Sequence, residues 1–168
     1  TIEGKLSPGN FEMRGDISSQ FITGLLFTLP LLDGDSKIVI TTELESKGYV
    51  DLTLDMLKKF DIEVENKDYQ EFCVKGNQKY LAHDYKVEGD YSQVAFWIVA
   101  GILNGEIKCN DLDLKSLQGD KVVLDIVKEM GGDLTEDGDS VLVRKSKTHG
   151  TVIDASECPD IIPVLSVL

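Results

Sequence analysis

Two apolar runs organise the chain. Phe21 to Leu32 carries no charge, and Val94 to Leu103 is almost wholly apolar, each too long for a strand and following a short polar segment. The first run predicts a buried helix from Gln20 to Leu29, ending near Pro30. Around it, Phe11 to Gly15 and Ser36 to Thr42 read as strands. An amphipathic helix follows, with Val50, Leu54 and Leu57 at i, i+4 and i+7 and with Lys58 and Lys59 where cations suit the helix dipole. Ile62 to Glu65 and Glu71 to Lys75 then predict two short strands, so the order is βαβαββ.

The same order begins again at Tyr85. Tyr85 to Gly89 reads as a strand, Val94 to Leu103 as a helix and Glu106 to Asn110 as a strand. Lys121 to Met130 reads as an amphipathic helix with Val122, Ile126 and Met130 on one face, before strands at Asp133 to Thr135 and Ser140 to Arg144. Residues recur as well as elements: Gly15-Asp16-x-Ser18 returns as Gly89-Asp90-x-Ser92, and Leu54-Asp55-x-x-Lys58 as Leu124-Asp125-x-x-Lys128. A duplicated unit follows, giving a mixed α/β (α+β) fold of repeated βαβαββ units. A third copy is expected to start, with Thr151 to Ile153 as a strand and Asp160 opening a helix through the apolar Ile161 to Leu168 run. The chain is therefore expected to be a piece of a larger protein.

Composition narrows the function. A length of 168 residues with 42% hydrophobic side chains suffices for a core. The chain lacks both an apolar run of membrane-spanning length and a signal-peptide pattern at Thr1-Ile2-Glu3-Gly4-Lys5, which leaves a cytoplasmic setting as the expectation. Cys73, Cys109 and Cys158 are widely spaced, and His83 and His149 are the two histidines, so neither a disulfide framework nor a metal cluster is suggested. The net charge of −13, without a Lys/Arg cluster, opposes nucleic-acid binding.

Candidate chemistry gathers at Gly15-Asp16-Ile17-Ser18-Ser19-Gln20, at the start of the first apolar run. Backbone N–H groups in a first helical turn lack intrahelical acceptors, and with the dipole and two hydroxyls they make a seat for phosphate. A plain N-cap accounts for the same residues.

These segments resemble a known family. Gly15 to Phe21 comes first, then Leu44-Glu45-Ser46-Lys47-Gly48-Tyr49-Val50-Asp51-Leu52-Thr53-Leu54, Val87 to Ser92, Ser116-Leu117-Gln118-Gly119-Asp120 and Pro159-Asp160. They stand in the order found in the EPSP synthase family, the 3-phosphoshikimate 1-carboxyvinyltransferases. The resemblance implies an enolpyruvyl transferase fold of inside-out barrel type, with helices buried and sheets outside. Residues 1–80 would be part of the upper domain and 81–168 part of the lower. It implies transfer of the enolpyruvyl group of phosphoenolpyruvate to the 5-hydroxyl of shikimate 3-phosphate, with release of phosphate and without a cofactor. Position by position, Ser18 and Ser19 would bind shikimate 3-phosphate, with Ser19 nearest its phosphate. Gln20 would reach the ring and the phosphoenolpyruvate side, Ser46 would donate to the same phosphate and Tyr49 would line the pocket. Asp160 would accept the proton of the 5-hydroxyl. Gly48 departs from the family, in which Pro is frequent before the Tyr. Much of the family's site cation set lies outside this segment, so the remaining segments of the parent chain are expected partners and the isolated chain is expected to turn over little.

Taken alone, Ser46 also reads as an N-cap, Tyr49 as a packing residue and Asp160 as a helix cap. Two alternatives stay open: an enolpyruvyl transferase acting on UDP-N-acetylglucosamine, and a scaffold module without a ligand. Arg14-Gly15-Asp16 spells an adhesion tripeptide, but it falls at a strand end.

Overall fold

The computed structural model describes residues 3–168, which form two compact units meeting between Asp84 and Tyr85. In the first unit β1 (Asn10–Met13), β2 (Ser36–Ile40), β3 (Val64–Lys67) and β4 (Glu71–Val74) make one sheet in the order β1-β2-β4-β3. The β1–β2 pair is parallel, with Phe11 opposite Ile38, and the other pairs are antiparallel. A parallel pair needs a crossover, supplied here by α1 (Ser19–Thr28) and a 3₁₀ turn at Leu29–Leu31. After β2 comes α2 (Lys47–Lys59). Ile22, Leu26 and Leu29 pack with Ile38, Val50, Leu57 and Phe72 into one core.

The second unit holds α3 (Tyr91–Asn104), β5 (Ile107–Cys109), α4 (Val123–Glu129), β6 (Asp133–Asp137), β7 (Ser140–Arg144) and α5 (Ile162–Leu165). Its sheet runs β5-β7-β6, all antiparallel. Ile98, Ile102, Val123, Val127, Val141, Val143 and Ile161 are fully buried in its core. No helix among the described residues is long and apolar enough to cross a membrane.

Several sequence expectations shift. Tyr85 to Gly89 forms no strand; the Gly89 N–H donates to the Asp111 carbonyl at 3.0 Å, beyond the end of the three-residue β5, which offers little ladder to join. Thr151 to Ile153 is likewise not a strand. The helix expected over Lys121 to Met130 opens as a 3₁₀ turn at Gly119–Val122, and its buried residues are Val123, Leu124, Ile126 and Val127. The run after Asp160 makes a 3₁₀ turn at Pro159–Ile161 and then the four-residue α5, with proline at the start of each. Finally, the two apolar helices are buried on one flank only. Phe21 is 61% exposed on α1, and Phe96 and Trp97 are 55% and 61% exposed on α3, because each unit packs against its helix from a single side.

Candidate functional site

Parallel β1 and β2 end at the same edge of their sheet, so α1 and α2, which follow them, both begin at that edge. In open α/β sheets this is where ligands bind. Ser18 is the N-cap of α1, extended at φ −167°, and its hydroxyl accepts the Gln20 N–H at 3.3 Å. Ser19 and Gln20 are therefore the first two helical residues, with Ser19 half-buried and Gln20 exposed. Ser46 caps α2 with its backbone, in the left-handed region at φ 55°, and its side chain makes no capping bond. A serine held there costs about 1–2 kcal/mol, which is the kind of backbone strain that collects at functional sites. The Ser46 carbonyl accepts the Tyr49 N–H at 3.1 Å, which turns the chain into the helix.

The two helix starts are fastened together. Between α1 and α2, the Thr23 and Thr53 hydroxyls lie 2.9 Å apart, and Thr53 also donates to the Tyr49 carbonyl at 2.8 Å. Ahead of the helices, the Gly15 N–H donates to Thr42 Oγ1 at 2.9 Å and the Glu45 N–H donates to the Gly15 carbonyl at 3.1 Å. Gly15 has no room for a side chain: a Cβ would lie 2.8 Å from the Glu43 carbonyl oxygen and from Leu44 Cα. Asp16 does not cap α1. Arg14 grips its carboxylate with Nε at 2.9 Å and Nη2 at 2.6 Å, and Thr42 Oγ1 donates to it at 3.1 Å. The Arg14 guanidinium, chiefly through its hydrogen bond, holds the Asp16 carboxyl at about 2, well below the usual range.

Chemically, this edge offers hydroxyls, helix-start amides and a neutralised carboxylate, a set suited to an anion. Arg14 and Lys47 are the nearby cations in the sequence of these loops, and both are engaged: Arg14 by Asp16, and Lys47 by Glu43 at 3.9 Å and by the Tyr69 ring at 5.8 Å. A neighbouring cleft lined by Thr42, Glu43, Lys47, Asp68, Tyr69 and Glu71 is too acidic for phosphate. No group of His, Cys, Asp or Glu among the described residues could hold a metal ion.

Of the sequence-predicted residues, Ser18, Ser19, Gln20, Ser46 and Tyr49 lie at the starts of α1 and α2, all within the first unit. Asp160 lies in the second unit, exposed, in the 3₁₀ turn that follows Cys158. Sequence reasoning missed Thr42 and the grip of Arg14 on Asp16. A signal was present, since the repeat carries Glu88 where Arg14 stands.

Comparison with known proteins extends this picture. The sequence model of the EPSP synthase (3-phosphoshikimate 1-carboxyvinyltransferase) family matches residues 1–168. A 3-phosphoshikimate 1-carboxyvinyltransferase of Clostridium novyi is 62% identical over 168 residues, covering 100% of this chain and 39% of the relative. One from Clostridium acetobutylicum is 63% identical over 167 residues, covering 99% and 39%. The chain thus spans about two fifths of the length of the relatives it matches. Among solved structures, EPSP synthase from Acinetobacter baumannii superposes with a TM-score of 0.69 at 20% identity, over 96% of this chain and 38% of that one. The enolpyruvyl transferase NikO from Streptomyces tendae gives 0.60 at 17% identity, over 84% and 36%. These likenesses show the enolpyruvyl transferase fold, and with the match over the whole sequence the chain belongs to the EPSP synthase (3-phosphoshikimate 1-carboxyvinyltransferase) family.

Proposed function

We propose that the protein carrying this chain transfers the enolpyruvyl group of phosphoenolpyruvate to the 5-hydroxyl of shikimate 3-phosphate, and that the first unit holds the shikimate 3-phosphate half-site. The observation that carries the reading is the pairing of two helix starts at one sheet edge, with Ser18, Ser19 and Gln20 on one and Ser46 and Tyr49 on the other. Neutral donors suit a phosphoryl group that must be held firmly and released, because they supply hydrogen bonds without a fixed counter-charge. Ser19 and Ser46 donate to the phosphate, Ser18 and Gln20 hold the ring side with Gln20 reaching toward phosphoenolpyruvate, and Tyr49 lines the pocket. Asp160 takes the proton of the 5-hydroxyl as its oxygen bonds to the enolpyruvyl carbon, and the phosphate of phosphoenolpyruvate leaves.

In this reading residues 1–80 belong to the upper domain and 81–168 to the lower, an assignment in keeping with compact units that meet between residues 84 and 85. The remaining segments of the parent chain supply the missing cations and cover the exposed flanks of α1 and α3. With Arg14 and Lys47 already engaged, the 168 residues alone have little turnover. The setting is cytoplasmic.

The test is release of inorganic phosphate from phosphoenolpyruvate by the full-length protein, made dependent on shikimate 3-phosphate and repeated with Ser19→Ala/Ser46→Ala. Acceptor-dependent release that falls at least about a hundredfold in the folded variant is expected, since each lost bond to a charged group is worth about 1.5–3 kcal/mol. Release that depends on UDP-N-acetylglucosamine instead would overturn the acceptor, and silence toward both in a folded protein would overturn the enzyme.

A further inference from the structure

The internal repeat supplies a control for the phosphate half-site. In the second unit Asp90, the counterpart of Asp16, caps its helix, with its carboxylate accepting the Gln93 N–H at 3.1 Å. Gln118 accepts the Tyr91 N–H at 2.8 Å and donates to the Gly89 carbonyl at 2.9 Å, so this helix start is filled by the chain's own groups. The counterpart of Arg14 there is Glu88, which offers Asp90 no cation. In the first unit Arg14 and Thr42 draw Asp16 aside, and the cap falls to Ser18, two residues further along the motif.

We infer that Arg14 and Thr42 are positioning residues that withdraw the Asp16 carboxylate from the start of α1 and so leave that start, where the neutral Ser18 hydroxyl accepts the Gln20 N–H, without a carboxylate to compete with the phosphate of the substrate. The inference rests on the half-site reading above. A carboxylate at a helix N-terminus takes the same amides and the same dipole field as a bound phosphate, and it repels that phosphate as well. Asp16 has the residue type and the repeat position of a capping aspartate. Its bidentate pairing with Arg14 and its bond from Thr42 provide three competing donors within 3.1 Å. The Thr42 hydroxyl accepts from the Gly15 N–H, which leaves its own proton for Asp16. One hydroxyl thereby sets Asp16 and ties the loop before α1 to the loop before α2.

The experiment titrates shikimate 3-phosphate into the full-length protein, followed by phosphorus NMR, for wild type, Arg14→Ala, and Arg14→Ala/Asp16→Ala, with thermal unfolding of each. Arg14→Ala is expected to weaken binding about tenfold, because the released carboxylate reaches the helix start. Removing that carboxylate in the double variant is expected to restore most of the affinity, even though a second contact has been lost. A purely structural role would make the double variant worse than the single, and a direct contact of Arg14 with phosphate would leave the double as weak as the single; either result overturns the inference. Unchanged binding in Arg14→Ala overturns it while leaving the half-site reading intact. Absence of binding by the wild type overturns both.

Discussion

The two units carry the same motif and spend it differently. In the first, Gly15-Asp16-Ile17-Ser18 turns its aspartate sideways and starts the helix at Ser19. In the second, Gly89-Asp90-Tyr91-Ser92 starts the helix at Tyr91, and Ser92 donates to Asp120, a carboxylate with no exposed surface. What the two copies share in structure is the role of the glycine: Gly15 and Gly89 each bring one loop against the next so closely that a Cβ would meet a carbonyl oxygen at 2.8 Å and 2.7 Å. A repeated string therefore fixes a loop crossing, and the residues around it decide whether the motif's serine or its aspartate caps the helix.

The comparison breaks most sharply at the serines. In the full-length protein, Ser19→Ala/Ser46→Ala is expected to lower the affinity for shikimate 3-phosphate at least about a hundredfold with little change in unfolding temperature. Isothermal titration beside thermal unfolding checks this, and equal losses in both would return these residues to a packing role. The glycines come next. Gly15→Ala and Gly89→Ala are each expected to cost about 2–3 kcal/mol of stability, as overpacking does, read from urea denaturation. Only Gly15→Ala is expected to reduce binding as well. Ser92→Ala should cost about 1–2 kcal/mol through the bond withdrawn from Asp120, against about 1 kcal/mol for loss of the Ser18 cap. A Ser92→Ala variant as stable as wild type would remove the contrast between a closed and an open helix start.

The smallest effect concerns acid. The folded Asp16 carboxyl is held at about 2 by Arg14, below the ordinary 3.8, so the unfolded chain takes up that proton first as pH falls. Its stabilising contribution is complete above about pH 4 and drains away between about 4 and 2. A carboxyl-carbon NMR titration is expected to find Asp16 still ionised at about pH 3 in the wild type and shifted upward in Arg14→Ala.

Much of this was legible in the sequence because it is local or periodic. The uncharged run after Gln20 and the 3.6-residue spacing of Val50, Leu54 and Leu57 place α1 and α2, and the recurrence of Gly-Asp-x-Ser places the second unit. What was not legible depends on partners distant in sequence. Thr42 stands 26 residues from Asp16, and no periodicity in either segment announces their bond. The left-handed backbone of Ser46 is equally silent in the sequence, because serine has no local preference for that conformation. The strand expected at Tyr85 to Gly89 failed because β5 stops at Cys109, and pairing is a property of two segments. The exposed flanks of α1 and α3 were hidden from an apolar pattern that states what resists water and not what covers it.

That uncovered flank of α3 gives the chain an optical handle. Trp97 is the single tryptophan in the sequence and 61% of it is in contact with solvent. Its emission in the isolated chain should resemble that of an indole in water, and any surface that closes over α3 will move the spectrum to the blue without a label being attached. Phe96 beside it absorbs too weakly at the exciting wavelength to compete. The helix whose start is sealed by the chain's own groups thus carries on its side the one indole of the chain, placed to report any surface that comes to cover it.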